Sequence, residues 1–239
     1  MRRRPRPPGP SPGPPPASPP PPAAPGYLDG VRAAAPIGVA AFAFGVSFGV
    51  LARSAGMGRL APVVMSLTTF AGSAQFAAVS ILGAGGGVAA AVAAAVLLNL
   101  RYGPMGLSAA SALRGPRWLR ALTAQLVVDE SWAIAQGDDG RIDRHLLVGA
   151  GVVLAVGWVG GTAVGALAGD LVADPASLGL DAAFPALFLA LLAGQVKGRS
   201  RLLAAAGGAA IALALMPFTG PGVPIVVASL ACLVGAWRS

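Results

Sequence analysis

The chain has 239 residues, 55% of them hydrophobic and 11% charged, with 34 glycines and a mean hydropathy of +0.72. An ordinary soluble domain carries about 25% charged residues, so a water-soluble globule is excluded and lipid is the solvent this composition fits. The net charge of +8 does not indicate nucleic acid, because Arg2, Arg3, Arg4 and Arg6 sit in one tail, the other positives are scattered through short loops and aromatics are only 6%.

Residues 1–27 read as a disordered, polyproline-like tail: 13 of the first 26 residues are proline, and no apolar stretch suits a signal-peptide core. A ligand for a proline-binding partner is the alternative to a plain solvated extension. The membrane domain is expected over 28–239, with apolar segments at 34–52, 60–82, 87–113, 121–136, 146–169, 181–196, 202–218 and 223–236. None shows the period-two alternation of a membrane β-barrel strand. The fold class is therefore an all-α, polytopic membrane helix bundle of seven or eight transmembrane segments with broken helices.

The segment 87–113 is longer than the roughly 20 residues a span needs, and it carries Asn99, Arg101 and Pro104 in its middle. It reads as a broken helix. Lys197, Arg199 and Arg201 mark a cytoplasmic loop, whereas the loop at 170–180 has Asp170 and Asp174 and no positive residue, so it is external. If 121–136 spans, there are eight crossings and an inside N-terminus. If it only dips in, there are seven and an outside N-terminus, and the charge tally leaves both standing.

Arg101, Asp129 and Glu130 are the charges set most deeply in apolar sequence, and each costs about 2.5 to 3.5 kcal/mol at a helix centre. With two acids, 121–136 does not insert alone; it needs a countercharge, a proton or a wet cavity, and Arg101 is the candidate partner. Such a group is a functional candidate by default, with a purely structural ion pair as the alternative. Gln75 and Asn99 are weighed likewise: each can coordinate a solute or satisfy backbone freed at a helix break.

Gly45 and Gly49, then Gly157, Gly161, Gly165 and Gly169, recur at four-residue spacing on one helical face, as close helix contacts require. GVSFG at 45–49 matches a nucleophile-elbow pattern but lies in an apolar helix with the one histidine, His145, far away. GAGGG at 83–87 lacks the Lys-Ser/Thr of a phosphate-binding loop. One cysteine, Cys232, and one histidine make neither an internal disulfide nor a structural zinc site. No enzyme, cofactor or metal is expected.

The strings FGVSFGVLA (44–52), FAGSAQFAAV (70–79), NLRYGPMGLS (99–108), DES (129–131), WVGGT (158–162) and GLDAAFPALFLALL (179–192) resemble, in order, the AzlC family, the large subunit of branched-chain amino acid exporters. The resemblance runs over roughly 28–236. Tyr102 and Val128 stand where the family pattern has His and Thr. The resemblance implies a multi-pass secondary transporter of the bacterial plasma membrane that exports Leu, Ile and Val, with Met as an outlying candidate, together with a small AzlD-type membrane subunit.

A free amino acid offers a carboxylate, an ammonium and a side chain. Arg101 suits the carboxylate, and Asp129, Glu130 or Asp181 the ammonium. Broken helices at Asn99–Pro104 and Phe70–Gln75 would supply backbone donors and acceptors, so Gln75 and Asn99 join Arg101 and Asp181 as candidate substrate-binding residues. Phe70, Phe76, Phe184 and Phe188 are candidates for an apolar pocket. Asp129 and Glu130 are the candidate proton-coupling pair, since a carboxylate in low dielectric can hold a proton in one state and release it in the other. GVLA at 49–52 and GALA at 165–168, each followed by spaced phenylalanines, suggest a faint inverted repeat.

Overall fold

A computed structural model describes residues 25–137, 140–169, 189, 192–193, 196, 198–220 and 223–228. The tail before residue 25, the Asp170 and Asp174 loop, Asp181, Phe184, Phe188, Lys197, Cys232 and most of the segment 181–196 lie outside the described residues. Ten helices lie among the described residues: α1 (Tyr27–Ser54), α2 (Leu60–Thr68), α3 (Gly72–Gly83), α4 (Val88–Asn99), α5 (Tyr102–Ala109), α6 (Arg117–Gln125), α7 (Asp129–Ala135), α8 (Arg144–Ala168), α9 (Arg199–Leu215) and α10 (Val223–Ala228). No strand occurs among them, only an isolated bridge between Gln136 and Ile142.

Two of these helices, α1 with 28 residues and α8 with 25, are long and apolar enough to cross a membrane unaided. At about 1.5 Å per residue each exceeds the roughly 30 Å of a hydrocarbon core. The pair α4 and α5 makes a third candidate span, bent by 42° at Leu100 and Arg101, where the sequence placed a broken helix. Segment 60–82 is also divided, into α2 and α3, by a break at 69–71 in which Phe70 takes φ +41°. Segment 121–136 is not one continuous helix: it comprises the end of α6, a turn at 126–128, and the seven-residue α7.

The scaffold is the α1/α8 pair. A Cβ on Gly45 would sit 2.5 Å from the Trp158 carbonyl oxygen and 3.0 Å from the Thr162 nitrogen, and in return one on Gly161 would collide with the Phe42 carbonyl. Gly49 meets the 162–166 turn as Gly165 meets Val46. The contacts are reciprocal, as for two helices about a local two-fold axis, and only glycine lets the backbones approach this closely. The register also fixes direction. Gly30 lies against Leu146 at one end and Gly169 against Arg53 at the other, so α1 and α8 run parallel.

That direction corrects the repeat suggested by GVLA and GALA. A two-fold axis in the membrane plane makes equivalent helices antiparallel, whereas the helices carrying these two strings lie side by side and point the same way.

Local chemistry sets the remaining ends. Asp143 caps α8 by accepting from the backbone nitrogens of His145 (2.7 Å) and Leu146 (3.0 Å). Phe48, Phe76 and Trp158 form a ring cluster with centroids 5.6 to 6.0 Å apart, joining α1, α3 and α8. Phe76 is fully buried there, so it serves the core rather than a pocket wall.

Candidate functional site

Three helix breaks converge on one face of the α1/α8 pair. Phe70, Gly72 and Ser73 come from the α2/α3 break, Arg101 and Tyr102 from the α4/α5 break, and Val128, Asp129 and Glu130 from the α6/α7 turn. With Ile37, Ala40, Ala41 and Phe44 of α1 and Leu154 and Trp158 of α8 they enclose a cavity of about 140 Å³. Non-helical backbone at membrane depth is tolerated where it is buried in protein or lines a wet cavity, which explains why the breaks gather here.

The polar side of this cavity is built around Arg101. Its Nη2 lies 2.8 Å from Asp129 Oδ2 and donates to Ser73 Oγ at 2.8 Å. The guanidinium carbon stands 5.3 Å from the centroid of the Tyr102 ring. Asp129 opens the amide end of α7, where its negative charge is favoured, whereas Arg101 sits between the carbonyl end of α4 and the amide end of α5, whose effects on a cation oppose each other. Gly72 and Ser73, both in the cavity wall, occupy the first turn of α3, whose N-cap residue Ala71 supplies no side-chain cap to their backbone amides.

The pair is accessible from the cavity: the Arg101 and Asp129 side chains are 36% and 37% exposed. It is also incompletely satisfied. Arg101 Nε and Asn99 Oδ1 are buried without a hydrogen-bond partner. The cavity wall holds one cation, Arg101, and two carboxylates, Asp129 and Glu130. Ser131, fully buried, aims the acids: its Oγ accepts from the Val128 nitrogen at 3.0 Å and donates to the Leu126 carbonyl at 2.6 Å, closing the turn ahead of α7.

Gln75 has a different place. It is fully buried one layer behind the cavity wall. Its Nε2 donates to Ser66 Oγ (2.9 Å), and its Oε1 accepts from Trp158 Nε1 (3.0 Å) and from the Ala71 nitrogen (3.2 Å). Ser66 Oγ pairs with Thr162 Oγ1 at 2.9 Å, and Thr162 donates to the Trp158 carbonyl at 2.8 Å. Gln75 thus satisfies backbone freed at the α2/α3 break and ties α2 and α3 to α8.

The structure therefore brings Arg101, Asp129 and Glu130 together, leaves Asn99 at the end of α4 outside the cavity wall, and keeps Gln75 behind that wall; Asp181 lies outside the described residues. Ser73, Trp158 and Tyr102 are wall residues not singled out as site residues by sequence reasoning. For Ser73 the signal was present, since it lies in the first turn after an expected break. No group of three or more His, Cys, Asp or Glu that would hold a metal occurs among the described residues.

The family model described as AzlC protein matches residues 36–172, a stretch that contains every wall residue of the cavity. A membrane protein of Archaeoglobus fulgidus, itself uncharacterized, is 33% identical over 208 residues, covering 84% of this chain and 90% of the relative. The branched-chain amino acid transport protein AzlC of Bacillus subtilis is 26% identical over 209 residues, 84% of this chain and 82% of the relative. A Helicobacter pylori membrane protein is 25% identical over 156 residues, 64% and 68% of the two chains. No solved structure matches the chain at a significant level.

Proposed function

The chain belongs to the AzlC family, and on that premise we propose that it is a secondary transporter exporting Leu, Ile and Val, with Met as an outlying candidate, across the bacterial plasma membrane. In this reading it crosses the membrane seven or eight times and works with a small AzlD-type membrane subunit. The observation that carries the reading is the Arg101–Asp129 pair, closed at 2.8 Å and facing a small cavity lined also by Glu130 and Ser73 and, on its α1 and α8 sides, by Ile37, Phe44 and Leu154.

A zwitterion is the ligand that such a pair can take without leaving a charge unmatched. Its carboxylate goes to Arg101 and the first-turn amides of α3, and its ammonium to Asp129, so one internal ion pair is exchanged for two. The aliphatic side chain lies against Ile37, Phe44 and Leu154. Asn99 offers its unpartnered Oδ1 nearby, Gln75 holds the α3 terminus in place from behind, and Asp181 is a further ammonium partner. Glu130 is the second carboxylate against one cation, and a proton bound at the Asp129–Glu130 pair neutralises the excess. Export is thereby coupled to the proton gradient.

The test is efflux of preloaded leucine, isoleucine and methionine from cells producing this chain, alone and with the neighbouring small membrane protein. Faster efflux is expected with both. Unchanged efflux of all three, in cells where both proteins reach the membrane, overturns the reading.

A further inference from the structure

A second cavity, of about 270 Å³, adjoins the first, and the residues lining both are Phe70 and Tyr102. We propose that this second cavity is a further station on the path of the same amino acid, and that the Phe70 and Tyr102 rings are the gate between the two. The station rests on the transport reading above. The gate does not.

The two chambers differ in chemistry. The first holds Arg101, Asp129 and Glu130; the second, with Thr69, Gly106, Gln125 and Val127 in its wall, has no charged lining residue. A zwitterion therefore finds ion-pair partners in the first and only dipoles in the second, as suits a chamber of transit rather than of tight binding. A dry, lipid-filled dent is a poor alternative. The wall includes irregular backbone at Thr69, Leu113 and Val127, which in a membrane requires burial in protein or contact with water. Gln125 Nε2 donates to the Thr68 carbonyl at 2.9 Å, covering one backbone group freed at the α2/α3 break.

Both gate residues sit at helix breaks. Phe70 occupies the α2/α3 break at φ +41°, a conformation that a bulky side chain rarely holds. Tyr102 opens α5 at the 42° bend. Its ring lies 5.3 Å from the Arg101 guanidinium, so a solute that draws Arg101 away from Asp129 also removes a support of the closed gate.

Thiol labelling of the full chain in sealed vesicles tests this, in a Cys232→Ser background. Gly106→Cys reports on the second chamber, where a Cβ meets nothing within 4 Å, and Ala41→Cys on the first. A membrane-impermeant maleimide is added to each face in turn. The face that modifies Gly106→Cys is expected to modify Ala41→Cys slowly. Phe70→Gly should raise that rate by at least about tenfold, because the open form of a two-state element is populated at roughly 0.1–10%. Glycine is the replacement of choice because it holds a positive φ freely. If it fails to reach the membrane, Tyr102→Ala removes the other ring.

Equal Ala41→Cys rates with and without the ring, from the face that modifies Gly106→Cys, overturn the gate. Leucine is expected to slow labelling at both positions. Protection at Ala41→Cys alone overturns the second station. A ring effect without leucine protection at either position overturns the amino acid reading while the gate stands.

Discussion

Two polar clusters lie within this fold, both assembled at helix breaks, and they are built to opposite specifications. The Gln75–Ser66–Trp158–Thr162 network is neutral, its four members are buried, and its hydrogen bonds interlock across α2, α3 and α8. The Arg101–Asp129–Ser73 cluster is charged, its ion pair is one third exposed while Ser73 is buried, and it leaves Arg101 Nε without a partner. A satisfied, dry network rigidifies; an accessible ion pair with unmet bonding capacity can exchange partners. The difference suits the first cluster to holding the break and, in the proposed transporter, the second to meeting the solute.

Gln75→Ala should break the holding cluster with the largest effect. It leaves the Ala71 nitrogen without its partner and takes one of two acceptors from Trp158 Nε1, which keeps Ser66 Oγ at 3.1 Å; a buried unsatisfied group costs about 1–3 kcal/mol, so a loss of roughly 2 kcal/mol is expected in unfolding of the purified protein. An unchanged midpoint would show that the network is not what secures α3. Arg101→Ala should do the reverse. The pair is partly exposed, so stability falls by less than about 1 kcal/mol. Transport of every amino acid, by contrast, should fall by about a hundredfold through loss of a charge-assisted contact, and an unchanged affinity would remove Arg101 from the site.

Much of the charged cluster was legible in the sequence because its physics is local. A run from 87 to 113 is too long for one span and carries Arg101 in its middle, so a break there follows from length and cost alone. Two acids at 129 and 130 need a cation, and Arg101 was the deep one available. The holding cluster was not legible, since Ser66 lies 92 and 96 positions from Trp158 and Thr162 and nothing in that spacing makes them neighbours. The glycine stripes announced close helix contact. They did not announce direction, because a stripe reads the same for parallel and antiparallel partners, and the repeat inferred from GVLA and GALA went wrong there.

Proton dependence sharpens the comparison further. Asp129→Asn and Glu130→Gln each remove one of the two acids around the single cation. If a proton on this pair couples export to the gradient, efflux in each variant should lose its response to an imposed pH difference, by about tenfold at the driven rate. The same substitutions should leave the Gln75 network's contribution to stability intact. Full pH dependence in both variants would end the coupling assignment without touching the ion pair's role in binding.

The smallest effects give the closest comparison, one hydroxyl from each cluster. Thr162→Val keeps the shape of the side chain and removes the bonds to Ser66 Oγ and the Trp158 carbonyl; Ser73→Ala removes the single bond that Ser73 accepts from Arg101. Each deletion is worth about 1 kcal/mol, but the two should appear in different measurements. Thr162→Val is expected to lower the unfolding midpoint and leave the half-saturating leucine concentration unchanged. Ser73→Ala should leave the midpoint unchanged, because its partner retains Asp129 and the cavity, and shift the half-saturating concentration by about fivefold. Matching shifts in both quantities for both variants would mean that the clusters form one cooperative unit and that the wall between holding and binding does not exist.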